Sequence, residues 1–274
     1  MKFSSPLLPK PDAQQQASII GALAALKALP QELIFNASLA PVDRRINKYI
    51  TVTPHVQALL RRAKMVAFRS EPVLIYGESG TGKELLARVL LGNRPDSDFH
   101  PINCGGIVDT LFESLLFGHV RGAFTNAIQD KAGVLVTAGT GVAFMDEVGE
   151  LPLSQQAKLL RALQENKVMP VGSPSEVPIR CRFVFATNRN LETMVQEGTF
   201  REDLYFRISP LTLTTPPLRE RPDDAAAIMD AYCREKELDP PECHIPNHII
   251  QSKGNIRALQ NWLLQQHVWG PDED

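Results

Sequence analysis

Residues 77–83 read Gly-Glu-Ser-Gly-Thr-Gly-Lys, a spacing that can hold phosphate. Gly77, Gly80 and Gly82 allow tight turns and bring backbone amide hydrogens close to anionic oxygens. A helix opening at Lys83 adds its positive N-terminal end, and Lys83 itself supplies a point charge for the β- and γ-phosphates of a nucleotide. The generic motif continues with Ser or Thr as a magnesium ligand, whereas Glu84 stands at that place here. A second cluster ends the run Val-Ala-Phe-Met-Asp-Glu at 142–147. An apolar strand would deliver both carboxylates to the carboxyl end of a parallel sheet, where ligands of open α/β sheets bind. Asp146 is suited to hold magnesium, directly or through water, and Glu147 to activate an attacking water as general base. Each cluster alone has a plain structural alternative: a glycine-rich turn, or a strand ending in two solvated acids.

The elements that must position these residues follow from periodicity. Thr53-Pro54 is an N-cap and first-turn pair, and Val56, Leu59, Leu60, Ala63, Val66 and Ala67 recur at helical spacing after it. Strands are expected at 73–76, 142–145 and 182–186, and helices at 83–91, 109–117, 154–165, 222–238 and 256–268. Strands alternating with helices argue for a parallel α/β sheet. Residues 13–29, rich in Ala and Leu, are also expected to be helical, within an N-terminal extension at 1–46 of unknown role.

The bulk properties narrow the class. The 274 residues suffice for one sizeable core and a small second domain. A formal net charge of −2, with no long basic run, gives no sign of non-specific DNA binding. No apolar stretch reaches the roughly 18 residues needed to span a bilayer, and Pro6, Pro9 and Pro11 interrupt any signal-like N-terminus, so a cytoplasmic protein without membrane contact is expected. Cys104, Cys181, Cys233 and Cys243 form no Cys-x-x-Cys pair and are expected to be reduced; Cys233, Cys243, His244 and His248 match no common zinc spacing.

With these motifs in order, residues 50–264 resemble the ATPase domain of bacterial sigma-54-dependent transcription activators. Gly77-Glu78-Ser79-Gly80-Thr81-Gly82-Lys83-Glu84 resembles that family's Walker A sequence, in which Glu is characteristic at the last position. Ile102-Asn103-Cys104 resembles the segment whose Asn is proposed to gate the catalytic Glu. Asp146 to Glu150 resembles Walker B, and Ala186-Thr187-Asn188 the first sensor, with Asn188 near the γ-phosphate. Residues 200–208 resemble the arginine-finger segment, mapping fingers to Arg201 and Arg207. Pro217 to Arg221 and Gly254-Asn255-Ile256-Arg257 resemble the lid, with a second sensor at Arg257. Read without the family, Arg201 and Arg207 are better taken as solvated or salt-bridged arginines, while Arg257 fits an ordinary helix start and Asn188 a turn cap.

The resemblance implies an AAA+ α/β domain at 47–216, a small helical lid at 217–274, ATP and magnesium as cofactors, and a homo-oligomeric ring of hexamer type. Fingers would act in trans on a neighbour's nucleotide. In the family a surface loop, Gly-Ala-Phe-Thr-Gly-Ala in most members, moves with nucleotide state and pushes on sigma-54 RNA polymerase, regulating transcription. Here it reads Gly122-Ala123-Phe124-Thr125-Asn126-Ala127. Phe124 and Thr125 are the expected contact residues, and Asn126 replaces a Gly, which Asn can imitate in left-handed geometry. Ser252-Lys253 replace the family's Trp-Pro, and the stretch from Leu238 to Gly254 looks shortened. No helix-turn-helix is read, so DNA contact is expected to be indirect or through a partner. Two alternatives stand beside this reading: an ATPase acting on a different partner, and a non-catalytic regulatory ring subunit.

Overall fold

A computed structural model of the chain describes residues 41–106, 109–241 and 244–270. The chain divides into Met1–Ala40 and a compact unit, Pro41–Asp274. The helix expected at 13–29, and Cys243 of the cysteine–histidine group, lie outside the described residues.

Helices α1 (Pro41–Lys48) and α2 (Pro54–Val66) lead into strand β1 (Val73–Tyr76) and helix α3 (Lys83–Val89). Strand β2 (Phe99–Asn103) and helix α4 (Asp109–Phe117) follow. A small antiparallel hairpin then pairs β3 (Gly118–His119) with β4 (Lys131–Ala132) and presents residues 120–130 at its tip. Helix α5 (Val134–Thr137), strand β5 (Val142–Asp146) and helix α6 (Leu153–Glu165) come next. A second hairpin, β6 (Lys167–Val168) with β7 (Val177–Pro178), precedes β8 (Arg182–Thr187). Helices α7 (Leu191–Gln196) and α8 (Glu202–Ile208), then β9 (Leu211–Thr214), complete the α/β part. Helices α9 (Asp223–Lys236), α10 (Asn247–Ile250) and α11 (Asn255–Trp269) build the helical lid.

The main sheet has five strands in the order β2-β5-β8-β1-β9, and every pair in it is parallel. Its central runs are apolar throughout because both faces are covered, and the period of two divides them between two cores. Leu74, Ala143, Met145, Phe183 and Phe185 face a core shared with α4, α6, α7 and α8. Val73, Ile75, Val142, Phe144, Val184 and Ala186 face a core closed by α2 and α3. The lid has its own small cluster around Leu218, Ile228, Leu259 and Trp262.

The two edge strands were not among the sequence expectations. β2 (Phe-His-Pro-Ile-Asn) contains a proline, tolerable because only its β5 side is paired, and β9 alternates Leu with Thr. The cap expected at Thr53 also differs in its chemistry. Thr53 is the N-cap and Pro54 begins α2, but the Thr53 hydroxyl makes no cap bond; it donates to Asp224 Oδ1 at 2.9 Å in the lid.

Candidate nucleotide-binding site

The carboxyl edge of the sheet arranges the candidates in strand order. Asn103 ends β2, and its register partner Asp146 ends β5. Asn188 follows β8, Gly77 follows β1, and Thr215 follows β9. The loop after β1 is stitched to both neighbours: Gly77 N donates to Thr187 O at 3.2 Å, and Thr215 N donates to Tyr76 O at 2.8 Å.

A cavity of about 330 Å³ opens there, lined by Ser79, Gly80, Gly82, Lys83, Glu84, Asp146, Glu147, Asn188 and Arg257, among others. The structure thus brings together residues from four separate stretches of sequence. Gly80 and Gly82 have φ of 75° and 95°, a region that side chains rarely adopt, and a Cβ on Gly80 would also strike the carbonyl oxygen of Gly254. Lys83 Nζ donates to the carbonyls of Gly77 (2.8 Å) and Glu78 (3.0 Å). Burial pushes its pKa down, partly offset by the carboxylates of Asp146 and Glu147.

Glu147 sits in the left-handed region (φ 57°) immediately after β5, with its amide bonded to Asp146 Oδ1 at 2.9 Å. Backbone held in a sparsely populated region often marks a functional site. Asn103 Oδ1 accepts from Gly105 N at 2.8 Å, and a Cβ on Gly105 would meet Glu147 Oε2, so Asn103 and Glu147 share the space above Gly105.

Three members of the glycine-rich loop face away from the cavity. Thr81 is fully buried, its hydroxyl donating to Glu78 O (2.8 Å) and paired with Thr215 Oγ1 (2.7 Å). Gly77 packs against Thr215. The Glu78 carboxylate turns to the lid, where both Arg219 nitrogens reach it at 2.8 and 2.6 Å and Asn255 Nδ2 at 3.1 Å. The Arg219 guanidinium, followed by Asn255, holds its pKa down at about 2. Sequence reasoning placed Arg219 and Asn255 in the lid but gave them no task, and Tyr49, Arg221 and Asp224 no part in the site. They are found only through contacts spanning up to 177 residues of sequence.

Three carboxylates line the cavity, Glu84, Asp146 and Glu147, and Asp146 at the end of β5 is the one suited to hold a magnesium ion whose other ligands are phosphate oxygens and water. Glu84 is engaged by Arg88 one turn on, at 2.7 Å. Among the described residues no group of three or more His, Cys, Asp or Glu could hold a metal ion unaided. A second cavity, about 490 Å³, adjoins Gly82; Tyr49, Ile50, Leu85, Ile228, Tyr232 and Ile256 wall it together with Asn47, Lys48, Arg221, Glu235 and Gln260, a mixed lining that offers apolar faces and polar edges to a flat heteroaromatic group.

Arg201 and Arg207 stay outside both cavities. Arg201 is exposed and paired with Asp203 at 2.7 Å, while exposed Arg207 donates to Leu163 O at 2.9 Å. The segment 122–127 forms the tip of the first hairpin, a compact turn in which Gly122 N bonds Ala127 O (2.8 Å) and Ala127 N bonds Phe124 O (2.9 Å). The Phe124 ring packs edge-on against His119, 4.9 Å between centroids, and Thr125 and Asn126 are exposed. Gly122 takes the left-handed conformation; Asn126 does not, so Asn126 has no left-handed backbone to accommodate.

A parallel sheet with a glycine-rich loop after its first strand, acids after the strand two places away and a helical lid defines an ATPase-type domain of the AAA+ class. The chain belongs to the family described as the sigma-54 interaction domain, whose pattern matches residues 49–214. It is 38% identical over 247 residues to the response regulator protein PilR of Pseudomonas aeruginosa, covering 86% of this chain and 55% of that protein. It is 48% identical over 218 residues to the sigma54-dependent transcriptional regulator SfnR of Pseudomonas fluorescens, covering 76% and 59%. Among solved structures, NtrX from Brucella abortus in complex with ATP is similar with a TM-score of 0.72 and 25% identity, covering 97% of this chain and 58% of that one. The chain spans between about half and three fifths of the length of these relatives. Among the described residues no helix is long and apolar enough to cross a membrane.

Proposed function

We propose that the chain hydrolyses ATP in a closed ring, of hexamer type, and uses residues 122–127 to act on sigma-54 RNA polymerase in the cytoplasm, regulating transcription. The observation that carries this reading is a division of the site. Lys83, Asp146, Glu147, Asn188 and Arg257 line one cavity, while Arg201 and Arg207 lie exposed elsewhere on the same chain. A site that needs fingers and has none of its own is completed by a neighbour through a heterologous interface.

In this reading the adenine occupies the cavity beside Tyr49 and Ile50, and the phosphates meet the loop amides. Lys83 releases the loop carbonyls and turns to the β- and γ-phosphates. Asp146 would hold magnesium, which when bound would supply neutralisation of phosphate charge. Glu147 takes a proton from the attacking water, with Asn103 positioned to restrain it and Asn188 beside the γ-phosphate. Arg201 and Arg207 of the adjoining subunit stabilise the charge that develops in the transition state.

The test is the specific ATPase rate of the purified chain over a concentration series, with Glu147→Gln beside it. A rate per subunit that climbs steeply with concentration and is absent in Glu147→Gln is expected. Nucleotide binding without turnover at any concentration would refute catalysis and favour a regulatory ring subunit.

A further inference from the structure

The phosphate loop is held in shape largely by the lid. The Ser79 carbonyl accepts from Asn255 Nδ2 (3.0 Å), the Gly80 carbonyl from Ile256 N (3.1 Å), and the Thr81 carbonyl from Arg221 Nη2 (2.9 Å). With its carbonyls drawn outward, the loop leaves amides free to face the cavity. Asn255 concentrates these ties. It is fully buried, left-handed at φ 51° although it opens α11, and its Oδ1 accepts from Leu218 N at 2.7 Å. Its Nδ2 also reaches the Glu78 carboxylate, which Arg219 grips in bidentate fashion. Two residues beyond Asn255, Arg257 Nη1 approaches Ser79 Oγ at 3.3 Å on the cavity wall.

A half-exposed ion pair contributes little to stability, and a buried left-handed Asn at a helix start works against it. A bidentate pair does fix orientation. We infer that Asn255, Arg219 and Glu78 form a positioning latch that sets the angle at which the lid presents Arg257 to the nucleotide's phosphates. None of the three is a catalytic residue here; they act through Arg257 and the shape of the loop. The inference rests on reading residues 77–84 as a phosphate site.

The experiment is a double-mutant cycle in ATP affinity, measured by fluorescence titration of the full chain with a labelled ATP analogue. The variants are Arg219→Ala, Asn255→Ala and Arg257→Ala, with each of the first two combined with the third. Arg219→Ala and Asn255→Ala are each expected to weaken binding about tenfold, with little further loss in the Arg257→Ala background, because the residues work through one another. Losses that multiply independently, or affinities equal to wild type, overturn the latch. Glu78→Gln, at a partly exposed position, keeps the side-chain shape and repeats the test should Asn255→Ala fail to fold. A wild-type chain that binds no ATP sinks the nucleotide reading, and the latch with it; a wild type that binds, with uncoupled variants, sinks the latch alone.

Discussion

Glu78 stands inside a phosphate-binding sequence, yet its carboxylate serves the lid, and its acidity reports that. Its pKa is held at about 2, against an ordinary value of 4.5, chiefly by the Arg219 guanidinium. A carboxylate depressed on folding contributes stability above its unfolded pKa and loses it as pH falls through its folded pKa. Because the pair is partly exposed the effect is small: the slight excess melting temperature of wild type over Glu78→Gln should be constant above about pH 4.5 and vanish toward pH 2. A gap that widens on acidification would mean that Arg219 is not the cause. Lys83 is shifted downward by burial, so its ammonium is lost at a lower pH than an exposed lysine's. Because the unfolded chain binds that proton more tightly, stability rises with pH between the two pKa values, while charge-dependent nucleotide binding falls over the same range. Lys83→Ala should abolish that alkaline fall along with most affinity, measured by titration with the labelled analogue from pH 7 to 10.

At the scale of elements, Asp224 joins the lid to the linker before α2, and its partner Arg221 carries the connection on to the phosphate loop by donating to Thr81 O. This buried carboxylate accepts from Val52 N (2.7 Å), Thr53 N (3.1 Å), Thr53 Oγ1 (2.9 Å) and Thr51 Oγ1 (2.8 Å), and pairs with buried Arg221 at 3.5 Å. Removing one partner of such a pair strands the other, so Asp224→Ala should destabilise the chain by about 3–5 kcal/mol in urea unfolding. A loss below about 1 kcal/mol would show that Arg221 finds compensation. The hairpin tip is a milder case. Since Asn126 is not left-handed, Asn126→Gly relieves no strain and should lower stability by at most about 1 kcal/mol through unfolded-state entropy. Increased sigma-54 binding by Asn126→Gly would instead indict the Asn side chain.

These elements also show what was legible beforehand. The fully buried strands and α4, expected at 109–117 and found there, announce themselves because one-dimensional apolar pattern and three-dimensional burial coincide. β2 and β9 do not, because an edge strand with a proline or alternating threonines resembles a loop. Lys83, Asp146 and Glu147 were legible from short motifs that carry their own flanking elements. Asn255, Arg221 and Asp224 were not, since their partners in the phosphate loop and the linker lie more than 130 residues away, and single residue types do not disclose tertiary hydrogen bonds.

For the whole molecule, the proposed ring implies that each chain's site is completed by a neighbour, since Arg201 and Arg207 do not line the cavity of their own chain. Arg201 spends its charge on Asp203, two residues away, and the pair is exposed, so an incoming phosphate competes with a weak partner. If the finger acts in trans, Arg201→Ala chains carry an intact Glu147, and Glu147→Gln chains carry an intact finger. Each variant alone should be inactive, by about 10³-fold or more for the finger loss. In an equimolar mixture that exchanges subunits at random, about a quarter of the interfaces join an intact Glu147 to an intact Arg201, because each interface draws one half from each of two chains. The mixture should recover hydrolysis up to about that fraction of the wild-type rate, less if neighbouring sites must fire together. A mixture as inactive as its components would place Arg201 in its own subunit's chemistry or in none.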